Sequence, residues 1–236
     1  MKTQAPFAAR TRLFRLGMLF SSLALLALSS CKNAYTAVGF EERTQDHRTV
    51  AVLPFEMVFL GQMPAQLSPE DILALEEAES KAFQVSFHNE IMRSAAGRRK
   101  IRVDLQPYTR TWALLAENDL SIRDSWRMKP EALAQLLGVD AVVRARIEKT
   151  QYFSDLTSFG IEAGLRVIDL FAGVRPIPSS FANSKEIYAS YNLVSNNGRE
   201  VLWSIACDID GDWRTRSNEV IDQVNRRSAR RFPYRL

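Results

Sequence analysis

The passage Pro130–Phe153, PEALAQLLGVDAVVRARIEKTQYF, decides the fold. Pro130 suits the first helical position, where its missing N–H costs nothing. Gly138 is a natural stop, because a helix closes most easily on a residue free to take positive φ. After the stop, Ala141–Phe153 alternates: Val143, Ala145 and Ile147 fall on one face, Arg144, Arg146 and Glu148 on the other. A short helix feeding directly into a strand of this kind is the unit from which mixed α/β sheets are built.

The same grammar extends in both directions. Upstream, Thr49–Phe55 (TVAVLPF) is a short Val-rich run that reads as a buried strand, with Pro54 near its end. Glu56–Leu67 reads as a loop holding Gly61 and Pro64. Ser68, Pro69, Glu70 and Asp71 then form a strong helix start. Ile72, Leu75, Ala78, Ala82, Phe83 and Phe87 make its apolar stripe, and Gly97 ends it. Ile101–Leu105 reads as a second strand. Thr109 or Thr111 is placed to cap a short helix through Asn118.

Downstream, Glu186–Val194 and Glu200–Ile209 are two more alternating strands, joined by a turn at Asn197-Gly198 that predicts positive φ. Residues 215–230 form a last helix with Val220, Ile221 and Val224 on its apolar face. The order predicts a single α/β domain over 49–236, with a mixed β-sheet flanked by helices. Residues 154–185 are left as an insert.

The first thirty residues belong to another category. Lys2, Arg10, Arg12 and Arg15 precede the uncharged apolar run Leu16–Leu28. At roughly 13 residues that run is short of the ~20 a spanning helix needs, and it suits the core of an export signal. Leu28-Ser29-Ser30-Cys31 follows and resembles the lipobox of bacterial lipoproteins. The resemblance implies cleavage between Ser30 and Cys31, with acyl chains such as palmitate on the Cys31 sulfur and N-terminus. Residues 1–30 are thus expected to be a signal peptide, and 31–48 a lipidated N-terminus and tether. Lys32 stands where an Asp would favour inner-membrane retention, so the resemblance implies the outer membrane, on its periplasmic side.

Charge and cysteine use change once this is read. The precursor carries 31 Lys+Arg against 27 Asp+Glu. Four of the basic groups and none of the acids lie in residues 1–30. The mature chain is balanced, and its charge is no argument for nucleic acid. A basic cluster remains at the C-terminus: Arg226, Arg227, Arg230, Arg231 and Arg235 suit the negative end of a last helix. With Cys31 taken by lipid, no second cysteine is left for Cys207, and Cys207 reads as a small buried hydrophobe.

Three segments behind the lipobox resemble the periplasmic lipoprotein superfamily that includes CsgG and LpoB. They are Val50-Ala51-Val52-Leu53-Pro54-Phe55, Leu137–Val143 with the strand after it, and Gly198–Trp203. Phe232-Pro233-Tyr234 is similar to the endings of such lipoproteins, whereas Arg144 departs from the small residue usual there. The resemblance implies a fold like the N-terminal domain of TolB. It implies work by binding and assembly, in secretion channels or as activators of wall synthases, and brings no catalytic motif.

The insert is the candidate contact segment. Phe159, Ile161, Leu165, Ile168 and Phe171 can share one side of an amphipathic helix, and Phe159–Val167 also alternates as a barrel strand would. A pore of the CsgG type needs four membrane strands of about 9–11 residues, and this insert has room for one hairpin. No catalytic or metal site is expected. His47 and His88 are isolated, no Gly-rich phosphate loop follows the first strand, and no Ser sits in a nucleophile elbow. Asp208-Ile209-Asp210-Gly211-Asp212 resembles a calcium loop but has Trp213 where a Gly is required. No cofactor is expected beyond the covalent lipid. The expected function is a non-enzymatic subunit of an envelope transport, secretion or wall-synthesis assembly, partnered by envelope proteins or by itself. A homo-oligomeric secretion pore and a hydrolase with an unrecognised site are the alternatives.

Overall fold

Val50, Ala51 and Val52 are wholly buried, as a strand covered on both faces requires. They belong to β2 (Thr49–Val52) in a computed structural model that describes residues 34–60, 68–96, 100–151, 184–198, 200–210 and 217–235. β2 pairs in parallel with β5 (Ala141–Gln151), which pairs antiparallel with β6 (Ser184–Ser195). β6 pairs antiparallel with β7 (Val201–Asp210). Two-residue strands close the path, β1 (Tyr35–Thr36) on β7 and β4 (Asp104–Leu105) on β2. The result is one mixed sheet in the order β1-β7-β6-β5-β2-β4.

The stretch expected to be a loop after Phe55 is instead β3 (Glu56–Leu60), parallel to β5 beyond the end of β2. Val52 sits opposite Val143 and Glu56 opposite Arg146. The β2–β3 side therefore spends one residue more than β5 between the two pairings. Pro54 cannot donate to the ladder and lies in this gap. An added residue reverses the alternation, which is why Ala51 and Leu53 face one layer while Phe55 and Met57 face the other.

The inner face of the sheet carries Val143, Ala145, Ile147, Ala189, Tyr191 and Leu193, all buried. Two helices cover it, α2 (Pro69–Ala95) and α6 (Ser217–Ala229). Ser68 and Asp71 cap α2 reciprocally, at 3.1 and 3.0 Å. The stripe sinks deepest in its second half, at Phe83, Phe87 and Ile91. Phe87 lies 4.8 Å from the Tyr191 ring and 5.9 Å from Phe55. α2 and α6 run parallel: Ser86 bonds Asp222 at 2.8 Å, and Glu90 meets Arg226 at 3.6 Å one turn on. Asn225 ties three elements, donating to Phe83 O at 3.1 Å and accepting from the Tyr191 hydroxyl at 2.8 Å.

Among the described residues, the outer face is covered at one end by a second core, in which Ala51, Leu53 and Val142 meet Leu115, Leu133 and Leu137. These side chains come from α3 (Tyr108–Glu117) and α5 (Pro130–Leu137). α3 starts behind Pro107 with no side-chain cap, so neither Thr109 nor Thr111 caps it. A short helix, α4 (Ile122–Arg127), fills the gap between them behind a Ser121–Asp124 capping box. Gly138 closes α5 at φ 67°, as expected.

Two further expectations are corrected. Residues 34–48 are part of the folded body, not tether: β1 and α1 (Phe40–Arg43) lie here, and Ala37, Phe40, Thr44 and His47 are buried. Phe40 packs 5.4 Å from the Tyr234 ring, an apolar contact the local pattern does not announce. Neither Asn197 nor Gly198 takes positive φ. Five residues separate Ser195 from Val201, so no two-residue turn is demanded.

Candidate functional site

Leu60, Thr150, Glu186 and Asp210 stand on one rung of the sheet. The connections 61–67, 152–183 and 211–216 therefore all leave from this end. The contact residues expected in the insert, Phe159, Ile161, Leu165, Ile168 and Phe171, lie outside the described residues, as do Ser30 and Cys31. What is described is the ground on which the insert stands. Gln151 pairs with Ser184 across a register shift, so the insert leaves one strand and returns on its neighbour.

Just inside this end, the inner face breaks its apolar rule. Lys149 occupies the next inward position after Ile147, and it is almost fully buried. Its Nζ lies 2.8 Å from both carboxylate oxygens of Glu79 on α2 and 5.8 Å from the Phe59 ring. On the outer face of the same strands, Arg146 bonds Glu56 at 2.8 Å and Glu148 at 3.0 Å. These carboxylates hold the Arg146 guanidinium's pKa up, hydrogen bonding by Glu148 first. Tyr188 is exposed on the outer face beside them and Tyr191 is buried on the inner one, so the two tyrosines form no common platform.

The opposite end gathers residues far apart in sequence. The Tyr234 hydroxyl is 2.5 Å from His47 Nδ1, and Ser195 Oγ is 3.3 Å from His47 Nε2. Ser195 Oγ donates to the Asp140 carbonyl at 3.4 Å and accepts from the Asn197 N–H at 3.3 Å. The Asp140 carboxylate accepts the Arg48 and Thr49 N–H groups at 2.7 and 2.8 Å. Arg102 stacks over Tyr234 and Phe40 and bonds Thr44. Burial lowers the His47 pKa, against the pull of Asp140; Arg102 lowers it further and Asp46 opposes. Burial raises that of Tyr234.

A Ser–His contact invites a nucleophile–base reading, and the hydrogen-bond network argues against it. The assignment that satisfies all four contacts has Tyr234 donating to Nδ1, which leaves the ring proton on Nε2 facing Ser195. A nitrogen that holds its proton cannot take another from the serine. Ser195, His47 and Tyr234 are all buried as well. The cluster is a clamp joining both ends of the domain to the β6–β7 connection. Sequence reading placed His47 in a tether. The signal available was the polar character of Asp140 at a strand entry, which had no partner until the fold closed.

The remaining chemistry is sparse. His88 lies edge-on to Tyr108 at 5.4 Å, with its pKa lowered by burial. Among the described residues no group of three His, Cys, Asp or Glu is placed to hold a metal ion, and no helix is long and apolar enough to cross a membrane. Asp208 is exposed, and residues 211–216 of the acidic turn lie outside the described residues. Ser228 Oγ is 3.3 Å from the buried Cys207 Sγ. Among the described residues no cysteine is free: Cys207 is buried as expected but disulfide-bonded, against the expectation that it has no cysteine partner.

No family model matches the chain, and no curated protein does. Several solved structures are similar to it at low identity. The PelC dodecamer from Paraburkholderia phytofirmans is 11% identical over 85% of this chain and 94% of that one, at a TM-score of 0.41. Lipoprotein GNA1162 from Neisseria meningitidis is 16% identical over 78% and 96%, at 0.40. The LpoB C-terminal domain from Salmonella enterica is 11% identical over 72% and 92%, at 0.37. At these values the likeness transfers neither site residues nor partners to this chain.

Proposed function

We propose that this chain is a lipid-anchored lipoprotein of the bacterial cell envelope, held at the periplasmic side of the outer membrane through Cys31. It acts as a non-enzymatic structural or regulatory subunit of a transport, secretion or wall-synthesis assembly. The single observation that carries the reading is the order of parts: a basic, then apolar, then small-residue leader ends at Cys31. The described body begins three residues later, at Ala34. The buried Ser195–His47 contact, with Tyr234 placed to donate to Nδ1, supports a binding role over a hydrolytic one. The insert between β5 and β6, with Phe159, Ile161, Leu165, Ile168 and Phe171, is the partner or self-assembly segment under this reading.

Intact-mass analysis and membrane fractionation test the anchor. The mature protein should start at Cys31 and carry acyl chains, and Cys31→Ser should release it from the membrane fraction. The chain has two cysteines, and a disulfide between them would consume the sulfur that the lipid needs. A mature mass without acyl groups would sink the anchor. Crosslinking in cells followed by mass spectrometry tests the assembly role. Replacing 154–185 by a short Gly-Ser linker should keep the fold and lose the partners. Unchanged partner recovery would remove the insert from the proposal.

A further inference from the structure

Cys31 is separated from the first described residue, Ala34, by Lys32 and Asn33 only. Three residue steps span at most ~11 Å of extended chain. The headgroup layer of one leaflet is itself ~6 Å deep. A lipid on Cys31 therefore leaves the domain almost no slack, and the surface around Ala34 has to lie against the bilayer. This argument rests on the anchor proposed above.

That surface is apolar where contact is required. Tyr35 follows Ala34 directly and is 54% exposed on the short edge strand β1, opposite Ser204. Val38 is 94% exposed, the highest value among the described large hydrophobics. It stands before Gly39, whose φ of 69° turns the chain into α1. A lone exposed Val needs no explanation in a soluble domain. Here, however, two large hydrophobics three residues apart lie within seven residues of Cys31. Their neighbours Ala37 and Phe40 are buried, so the backbone that carries them is fixed to the body. Tyrosine is also a residue that favours the headgroup level, with its ring in apolar surroundings and its hydroxyl in water.

Of the charges alongside, Arg43 and Glu41 are matched within the protein. Arg43 pairs with Glu200 at 2.7 Å, and Glu41 pairs with Arg102 at 3.1 Å. A contact built on charge has little to offer here, and one built on apolar insertion does.

We propose that Tyr35 and Val38 are a second membrane contact, seating the β1 edge of the domain in the headgroup layer beside the lipidated cysteine. The occupant is the lipid surface itself. With the acyl chains holding the protein, these side chains set its orientation, with the β1 edge against the bilayer.

The test uses mature, acylated protein in phosphatidylcholine vesicles. A photoreactive benzophenone side chain replaces Val38 in one sample. In a second it replaces Leu73, which is 42% exposed on α2. The expected result is lipid adducts at position 38 in several-fold excess over position 73. The excess should survive high salt, since screening acts on charge and not on apolar insertion. Equal adduct yields at the two positions would overturn the proposal. So would adducts at position 38 that join protein instead of lipid, because a second copy or another partner would then own the surface. Intact mass is read first on the same samples: absence of acyl groups defeats the anchor, whereas acylated protein without the excess at position 38 defeats only the orientation.

Discussion

The two faces of the sheet obey different rules along the same strands. Val143, Ala145 and Ile147 on β5 point into a closed apolar layer under α2 and α6, while Arg144, Arg146 and Glu148 point the other way. Among the described residues, the outer face is dry near β2, where α3 and α5 cover it. Beyond that, its cross-strand rows are polar: Glu56–Arg146–Ser190 and Val58–Glu148–Tyr188–Asp208. The inner face holds the fold, and the outer face tolerates exchange. Evidence that both faces respond alike to substitution would break that division.

Phe87→Ala strikes the inner face hardest. The residue is fully buried among Phe55 and Tyr191, and emptying such a site costs about 4 kcal/mol. Urea unfolding should show a midpoint shifted far down, or no cooperative transition at all. Lys149→Ala comes next. It leaves Glu79 charged, buried and alone, at a cost of about 3 kcal/mol. Lys149→Met together with Glu79→Leu should recover most of that loss, since an apolar pair of similar volume is an equal or better occupant. If the double variant unfolds as easily as the single one, the buried pair is worth more than its desolvation. Gly138→Ala places a side chain at positive φ and should cost about 1 kcal/mol.

A smaller effect belongs to His47. Its folded pKa lies below the unfolded value because burial disfavours the cation. The neutral form thus contributes stability that is complete above the unfolded value of about 6.5. That contribution is lost as pH falls through the lower folded value. Unfolding at pH 7.5 and pH 5 should show a larger acid loss in the wild type than in His47→Gln. Equal losses would remove His47 from the clamp. Arg146→Ala defines the low end of the series: its pairs are exposed, and it should change stability by under about 0.5 kcal/mol.

The sequence made the covered parts of this architecture readable. α2 carries its own start signals at Ser68, Pro69 and Asp71, α5 its stop at Gly138, and β5 its strict alternation. What stayed hidden depends on distant partners. Glu56–Leu60 is five residues long, and only its pairing with Arg146–Thr150, some ninety positions later, makes it a strand. Tyr35–Thr36 is held by Trp203 and Ser204, and Phe40 by Tyr234. No local period records such contacts. α4 was not read from the sequence: Ser121-x-x-Asp124 is a cap signal, but a six-residue helix makes little periodicity to go with it. Of the candidate site, the insert was readable as a segment between two strands, whereas the His47 clamp required strand order. Tyr35 and Val38 were hidden for the same reason as β1.

The His47–Tyr234 bond joins positions 187 apart. A polypeptide delivered from its amino end has to wait for its final residues before that bond can form. Contacts of such separation are slow to close, because the loop entropy is spent before any reward arrives. Phe232-Pro233-Tyr234 therefore behaves as a latch that closes late in folding.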